Sequence, residues 1–335
     1  MKAVVISEPN SIKIKEKDFP KISSNKLLVK INSIGVCGSD LHIIKGSNPF
    51  VTYPRIIGHE CFGQIVDSGS NELFKEGDRV VIDPVNSCGN CYSCLNNKNN
   101  ICKDLKVFGV HIDGGMQEFA LVNSNQIFKI PNSLSNENAT LIEPFTIAAQ
   151  ATSRGGVKKE NLVCIIGAGA IGLSILKVCK MIGAKTVVFD IDEKKLDRAK
   201  SFGASNLGTD INKNNILNEF TNNHGFDVVI DAACTSETFE KTIQFCAKGG
   251  TVVTLGFTKQ ISKISQYYIT KNELNIIGSR LHNNKFETVL KWVENSKINL
   301  DGFVTHRFHY TEINDAISML VSPHNDICKA VIDFN

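Results

Sequence analysis

The chain has 335 residues and a formal net charge of +3, with 42% hydrophobic and 21% charged residues. This length exceeds what one small core usually serves, so we expect two domains in an ordinary globular protein. The weak charge excludes a general nucleic-acid or membrane-surface binder. The first ten residues lack the apolar core of a signal peptide, and no long apolar run is typical of a membrane span, so we expect a cytoplasmic location.

The first third of the chain has the pattern of β structure. Apolar Leu27, Val29 and Ile31 alternate with polar neighbours, which predicts a half-buried strand. Glycines recur after it, and short strands fit between them at Arg79–Ile82 and Phe119–Val122. We therefore predict an irregular, barrel-like β domain.

Four dispersed residues are candidate ligands of a catalytic metal. Cys37 lies in GVCGSDLH, His59 and Glu60 lie in IIGHEC, and Glu143 lies in LIEPF. A catalytic zinc keeps three protein ligands and one open position, so a set of this composition suits it. Each residue alone is a weak signal, because a single cysteine or histidine near a strand end is commonly a packed core residue.

Four cysteines crowd into the run CGNCYSCLNNKNNIC, with the spacing Cys-x2-Cys-x2-Cys-x7-Cys. In a reducing compartment such a cluster indicates metal ligands rather than disulfides. Four thiolates fill a tetrahedral zinc shell and leave no open position, which predicts a structural zinc site. Its ligands would be Cys88, Cys91, Cys94 and Cys102.

Strands and helices alternate in the second half of the chain, after an alanine-rich helical pattern over Asn138–Thr152. Alternation of this kind predicts a parallel sheet with crossover helices. The predicted strands are Leu162–Ile166, Thr186–Phe189, Asp227–Asp231 and Thr251–Leu255, with helices ending at Ile182, starting at Glu193 and lying near Glu237–Cys246. The last stretch, Phe286–Asn335, has two helical patterns and a final strand, Ala330–Phe334.

A dinucleotide-binding loop follows the first of these strands. Gly167, Gly169 and Gly172 form G-x-G-x-x-G at the start of a helical pattern, where they allow a tight turn, close approach of a pyrophosphate and close helix–strand packing. Asp190 ends the next strand and is placed to bind the ribose hydroxyls, which favours NAD over NADP. Lys195 is a candidate neighbour of the adenosine ribose, and a solvated lysine is the alternative.

Taken together, these segments resemble the zinc-dependent medium-chain dehydrogenases. The resemblance rests on GVCGSDLH, IIGHEC, the four-cysteine loop, IEPF and GAGAIG, which occur in the family's order along the whole chain. It implies an α/β protein with a GroES-like catalytic domain, residues 1–145 completed by 287–335, and a Rossmann-type NAD-binding domain, residues 146–286. It also implies catalytic and structural zinc, and a cytoplasmic homodimer or homotetramer that uses Asn275–Gly278 as an edge strand.

The resemblance assigns roles at the catalytic site. Cys37 and His59 match the family's zinc ligands, and either Glu60 or Glu143 supplies the third position, as in dehydrogenases of the sorbitol type. Ser39 and His42 match a proton relay, a role that suits a hydroxyl and an imidazole that titrates near neutral pH. A turn hydroxyl and a surface histidine are the alternatives for these two residues.

A finer resemblance links the chain to bacterial starvation-sensing dehydrogenases and to L-gulonate and L-galactonate 5-dehydrogenases. It rests on segments such as DPVNSCGNCYSC, GVHIDGG and GSRLHNNKF, and it implies oxidation of the C5 hydroxyl of a sugar acid. Arg280 and Lys285 are candidates to bind the carboxylate, and His111 is a candidate pocket residue. A neutral polyol or L-threonine dehydrogenase is one alternative. A cofactor-binding regulator of starvation signalling is the alternative from another class.

Overall fold

The computed structural model of the protein describes residues 1–22, 25–213, 216–322 and 325–334. Asn335, the last residue of the expected catalytic domain, lies outside them. The chain divides into two compact units. The first comprises Met1–Glu143, Phe286–Glu294 and Asn299–Asn335, and the second comprises Pro144–Lys285 and Asn295–Ile298. Over the described residues, no helix combines the length and the apolar character needed to cross a membrane.

The N-terminal part of the first unit consists mainly of short strands. Its elements are β1 Lys2–Glu8, β2 Ser11–Glu16, β3 Lys26–Gly35, α1 Gly38–Ile44, β4 Arg55–Ile56, β5 Glu60–Asp67, β6 Arg79–Ile82, β7 Val85–Asn86, α2 Tyr92–Leu95, β8 Lys106–Val107, β9 Phe119–Asn123, β10 Ile127–Lys129 and α3 Asn136–Ala139. Single 3-10 turns lie at Asn99–Ile101 and Ser124–Gln126.

The remaining elements alternate in type. They are α4 Ile142–Arg154, β11 Leu162–Ile166, α5 Ala170–Ile182, β12 Lys185–Phe189, α6 Glu193–Ser201, β13 Asn206–Gly208, α7 Ile216–Thr221, β14 Phe226–Asp231, α8 Ser236–Phe245, β15 Cys246–Thr254, α9 Gln266–Asn272, β16 Asn275–Gly278, α10 Phe286–Glu294, β17 Val304–His309, α11 Ile313–Val321 and β18 Lys329–Asp333. A 3-10 turn at Tyr310–Glu312 precedes α11.

Strand β3 is the centre of the main sheet of the first unit, whose strands lie in the order β10-β6-β5-β3-β18-β17. It pairs antiparallel with β5, β9 and β18. The prediction of a half-buried strand is wrong here, because eight of its ten residues are buried, including polar Asn32 and Ser33, and only Lys26 and Lys30 are partly exposed. The polar positions therefore do not mark a solvent face, and the hydroxyl of Ser33 instead donates to the Oδ1 atom of Asp333 on β18 (2.6 Å).

The helix expected over Asn138–Thr152 is interrupted, and the structure has two helices, α3 and α4. Thr140 ends α3, and its hydroxyl donates to the carbonyl of Glu137 (2.7 Å). Pro144 stands in the first turn of α4. A proline ring clashes with the carbonyl four residues earlier in a continuous helix, so a helix that contains Pro144 has to begin after Thr140.

The second unit is built on a parallel sheet with the strand order β13-β12-β11-β14-β15-β16, which confirms the predicted α/β class. Its apolar core includes Cys164, Val187, Phe226 and Val252. The connections run outward from β11 to β13 and then return to β14 on the other side of β11. Ligands of open α/β sheets bind where the strand order reverses in this way, at the carboxyl ends of β11 and β14.

Candidate active site and metal centres

The four cysteines of the predicted structural site converge in the first unit. The Sγ atom of Cys91 lies 3.5 Å from that of Cys94 and 3.9 Å from that of Cys102, and the Sγ atoms of Cys88 and Cys102 are 3.4 Å apart. Sulfurs 2.3 Å from a tetrahedral centre lie about 3.8 Å from one another, so these distances suit zinc. The donor set and its spacing therefore fit the ion.

Backbone N–H groups point at these sulfurs. Those of Cys88 and Asp104 donate to the Sγ atom of Cys102, each at 3.3 Å. Backbone N–H groups of Cys94 and Lys103 lower the pKa of the Cys91 thiol to about 6. Burial raises the pKa of the Cys102 thiol to about 11, so Cys91 is the ligand that its surroundings favour as a thiolate, the form that binds metal, at neutral pH.

A second group of candidate ligands forms at the ends of two paired strands. Cys37 directly precedes helix α1 after β3, and Glu60 begins β5 after His59. The register pairs Gly35 of β3 with Glu60 of β5, which brings the two segments side by side. One ligand atom from each of Cys37, His59 and Glu60 lies within 4.8 Å of the others.

The carboxylate of Glu60 forms a buried ion pair with Lys329 at the start of β18. The Nζ atom of Lys329 donates to both carboxylate oxygens, at 2.6 and 2.8 Å, and also contacts the carbonyl of Val36 at 3.3 Å. Neither side chain is more than 3% exposed. Gly35 makes room for the carboxylate, because a Cβ at that position would lie 2.0 Å from the Oε2 atom of Glu60.

His59 is held beside a second buried carboxylate, that of Asp40. The Nδ1 atom of His59 lies 3.7 Å from the Oδ1 atom of Asp40, beyond hydrogen-bond distance, and it has no partner among the residues that the structure describes. Asp40 is fully buried and accepts hydrogen bonds from the backbone N–H groups of Cys37 (2.9 Å) and Gly58 (3.3 Å). It therefore ties the two ligand segments together.

The electrostatics of this group favour a cation. Burial opposes a charge on His59, but Asp40, Cys37 and Glu143 outweigh it and raise the pKa of the imidazole well above its ordinary value. The negative charge of Glu60 likewise overcomes burial and raises the pKa of Lys329. Burial also raises the pKa of Asp40, so the buried carboxylates of Asp40, Glu60 and Glu143 need nearby positive charge to stay ionised, and a bound divalent ion would supply it.

The other expected residues of the first unit occupy different surroundings. Glu143 is buried in the first turn of α4 and, within the described chain, is not a member of the 4.8 Å ligand-atom group. Ser39 is half-buried in α1, whereas His42 is exposed in its last turn, with Nδ1 2.9 Å from the hydroxyl of Ser47. The Nδ1 atom of His111 accepts a hydrogen bond from the backbone N–H group of Val107 at 3.1 Å.

The glycine loop of the second unit has the geometry expected of a dinucleotide site. Gly167 has φ +103°, a conformation that favours glycine, and a Cβ at Gly172 would lie 1.8 Å from the carbonyl oxygen of Gly167. A Cβ at Gly169 would meet nothing within 4 Å. The loop therefore needs two glycines for its own packing, and the third keeps open the space that a pyrophosphate occupies.

Asp190 connects the next strand to this loop. One oxygen accepts a hydrogen bond from the backbone N–H group of Ala168 (2.7 Å), and the other accepts from that of Asp192 (3.0 Å). Asp192 caps helix α6, as expected, by accepting from the N–H group of Lys194. Lys195 is half-buried in the first turn of α6.

Two candidate substrate residues follow β16 in the second unit. Arg280 is half-buried over the ring of Phe257, and Lys285 is half-buried just before α10. Sequence reasoning missed Asp40 and Lys329 in the first unit. Asp40 carried a signal, since it lies between Cys37 and His42 in GVCGSDLH, whereas Lys329 is 269 residues from its partner Glu60.

Comparison with known proteins identifies both parts of the chain. Residues 23–132 match the family model described as the alcohol dehydrogenase GroES-like domain, and residues 170–295 match that of the zinc-binding dehydrogenases. The chain is 38% identical to the starvation-sensing protein RspB of Escherichia coli K12, over all of both sequences. It is 31% identical to the L-galactonate-5-dehydrogenase of the same organism, over 100% of this chain and 99% of that one.

Solved structures agree with the sequence comparisons. The crystal structure of an alcohol dehydrogenase (rspB) from E. coli CFT073, complexed with NADH, superposes with a TM-score of 0.94 at 37% identity, and the match covers 100% of this chain and 99% of that one. The GroES-like and Rossmann-type predictions are thereby confirmed, as is the family resemblance. The chain belongs to the zinc-binding alcohol dehydrogenase family, whose members pair a GroES-like domain with a nucleotide-binding domain.

Proposed function

We propose that this protein is a zinc- and NAD-dependent dehydrogenase that oxidises the C5 hydroxyl of a sugar acid such as L-gulonate or L-galactonate. The observation that carries the dehydrogenase chemistry is the group formed by half-buried Cys37 and buried His59 and Glu60, whose ligand atoms lie within 4.8 Å of one another. A regulator that only binds a cofactor has no need of such a group. The enzyme is therefore favoured over the regulatory alternative.

In this proposal Cys37, His59 and a carboxylate hold the catalytic zinc, and Cys88, Cys91, Cys94 and Cys102 hold the structural one. A zinc ion bound at the first site supplies a Lewis acid that makes an alcohol easier to deprotonate. The carboxylate of Asp40 faces the Nδ1 atom of His59 and orients the ring, so that its other nitrogen serves as the ligand.

Glu60 and Glu143 remain the two candidates for the third ligand, and we favour Glu60. It lies within the group of ligand atoms, and Lys329 holds its carboxylate in place. Zinc analysis of Glu60→Gln and Glu143→Gln at matched folding distinguishes them, with the greater loss expected for Glu60→Gln. A greater loss in Glu143→Gln would reverse the assignment.

Ser39 and His42 are proposed to carry the substrate proton away. Both lie on helix α1, immediately after Cys37, and exposure increases from half-buried Ser39 to exposed His42. A hydroxyl next to the metal site and an imidazole at the surface make a path from a buried oxygen to solvent. His42→Ala is therefore expected to slow alcohol oxidation and to be rescued in part by added imidazole.

NAD is the proposed cofactor, bound by Gly167, Gly169, Gly172 and Asp190, with Lys195 near the adenosine ribose. The carboxylate of Asp190 repels a 2′-phosphate and bonds ribose hydroxyls. The similar structure complexed with NADH supports this choice. A titration in which NADP binds more tightly than NAD would contradict it.

The sugar-acid substrate is inferred from the relative named L-galactonate-5-dehydrogenase. A carboxylate requires a cationic partner, and Arg280 and Lys285 are the proposed ones, with His111 as a further pocket residue. The test is a panel of aldonates, neutral polyols and L-threonine, with NADH absorbance as the readout. Faster turnover of L-galactonate or L-gulonate supports the proposal, whereas preference for a neutral polyol or L-threonine would replace it.

We also propose a cytoplasmic homodimer or homotetramer, with residues 1–145 and 287–335 as the catalytic domain and 146–286 as the NAD-binding domain. Strand β16 supports self-association because it ends the parallel sheet and exposes Ile276 by 37%. Light scattering of the purified protein measures the mass directly. A monomer at micromolar concentration would refute this part of the proposal.

A further inference from the structure

Two neighbouring strands of the second unit place an arginine over an exposed aromatic ring. Phe257 follows β15 and Arg280 follows β16, and the pairing of Thr254 with Gly278 places the ends of these strands side by side. The Cζ atom of Arg280 lies 5.3 Å from the centre of the Phe257 ring. Phe257 is 58% exposed, so core packing does not account for its position.

The residues on either side of Arg280 carry local energetic costs. Leu281 has φ +48°, a left-handed conformation that is unfavourable for a leucine. The hydroxyl of Ser279 is buried without a hydrogen-bond partner in the described part of the chain. Strain of this kind and unsatisfied polar groups concentrate at binding sites, where the ligand or the geometry compensates for them.

The contact with the ring also limits how the guanidinium can present its hydrogen-bond donors. A cation–π contact uses the face of the aromatic ring, and the five N–H donors of the guanidinium remain in the guanidinium plane. Arginine binds carboxylates and phosphates through two parallel in-plane bonds. A ring 5.3 Å from the Cζ atom therefore restricts the motion of the guanidinium, and this lowers the entropy that is lost when the guanidinium binds an anion.

We propose that Phe257 and Arg280 form an anion shelf that selects substrates bearing a carboxylate or phosphate ester, with Phe257 as the residue that positions Arg280. This inference deepens the proposed function and rests on it for the sugar backbone of the substrate. It adds a specificity-determining residue, Phe257, and places the charged end of the substrate against the carboxyl edge of β15 and β16.

The test compares kcat/KM for L-galactonate, a hexitol phosphate and neutral sorbitol in Phe257→Leu, Phe257→Trp and the parent enzyme. Phe257→Leu keeps apolar bulk but removes the π face, so the ratio of anionic to neutral kcat/KM is expected to fall roughly two- to fivefold. Phe257→Trp retains the face and is expected to restore the ratio. If Phe257→Leu lowers kcat/KM for only one of the two anionic substrates, that substrate shows whether the selected group is a carboxylate or a phosphate ester.

A matched control exists in the same unit. Lys271 lies over the ring of Tyr267 at 5.2 Å, and Tyr267 is 59% exposed, so Tyr267→Leu removes a similar cation–π contact away from Arg280. It is expected to leave the ratio unchanged. Equal effects of Phe257→Leu on anionic and neutral substrates, or an equal change in Tyr267→Leu, would overturn the shelf.

Inhibition separates the shelf from the proposed substrate. If L-galactonate is not oxidised but inhibits polyol oxidation, and Phe257→Leu weakens that inhibition, the substrate proposal fails and the shelf stands. If L-galactonate is oxidised with an unchanged ratio in Phe257→Leu, the shelf fails and the substrate proposal stands. Anions that neither react nor inhibit would overturn both.

Discussion

Replacing Lys329 by methionine tests whether the buried ion pair organises the candidate zinc site. Methionine has similar length but no charge, so the substitution leaves Glu60 without its counterion. The carboxylate of Glu60 is fully buried and loses both of its bonds from the Nζ atom, at 2.6 and 2.8 Å. An ionised carboxylate in such a place has no water around it and has lost its nearest cation.

The expected cost is about 3–5 kcal/mol of unfolding free energy, the usual result of removing one partner from a buried ion pair. Lys329→Met/Glu60→Gln removes both charges and is expected to recover a large part of that loss. Pairs of well-packed neutral residues often replace buried ion pairs at little cost. Together with the single variant Glu60→Gln, these two variants form a double-mutant cycle that measures the coupling of the pair.

Urea unfolding followed by tryptophan fluorescence gives this measurement. The chain has one tryptophan, Trp292, which lies half-buried in α10 of the first unit and so follows the unit that contains the pair. Metal-loaded and metal-free protein are compared, since bound zinc stabilises the folded state by mass action. A loss below about 1 kcal/mol in Lys329→Met, a value typical of exposed pairs, would refute the reasoning.

Three further predictions follow from particular contacts. Gly169→Ala is expected to fold normally, because its Cβ meets nothing within 4 Å, and to raise the Kd for NAD roughly tenfold or more. Gly172→Ala is expected to lower the melting temperature, because its Cβ would lie 1.8 Å from the carbonyl oxygen of Gly167. Equal melting temperatures of the two variants would contradict this prediction. Cys94→Ser is expected to lose one zinc ion per chain and several degrees of melting temperature, while the folded fraction keeps the KM of the parent enzyme for the substrate. A changed KM at an unchanged melting temperature would count against a structural role. Burial raises the pKa of Asp231, so the folded state binds the Asp231 proton more tightly than the unfolded state does. The stabilisation that this proton provides is present at low pH and is lost as the pH rises above about 4 and passes the folded pKa. Urea unfolding followed by circular dichroism should show this decline in the parent protein but not in Asp231→Asn, and an identical decline in both would contradict the assignment to Asp231.

Sequence patterns predicted features whose determinants lie close together in the chain. The strand Leu162–Ile166 and the helix ending at Ile182 are as expected, because the strand, the glycine turn and the helix follow one another directly. The four-cysteine loop spans 15 residues, so its spacing alone indicates the tetrahedral cluster. Local conformation and ligand chemistry agree in both segments.

Contacts between residues that lie far apart in the sequence could not be predicted from local sequence patterns. The buried hydroxyl of Ser33 on β3 has its partner, Asp333, on β18, which comes from the other end of the chain. For the same reason nothing in the sequence linked Lys329 to Glu60, although that pair fixes the carboxylate next to Cys37. The choice between Glu60 and Glu143 depends on such long-range geometry, and it remains a proposal.

The most direct test of the zinc-dependent chemistry is the rate of NADH formation by Cys37→Ala under conditions where the parent enzyme oxidises its best substrate. Circular dichroism and NAD binding serve to establish that the variant is folded. The proposed role of Cys37 predicts loss of nearly all activity together with one of about two zinc ions per chain. Activity close to that of the parent enzyme, with its zinc content unchanged, would contradict the proposed catalytic site.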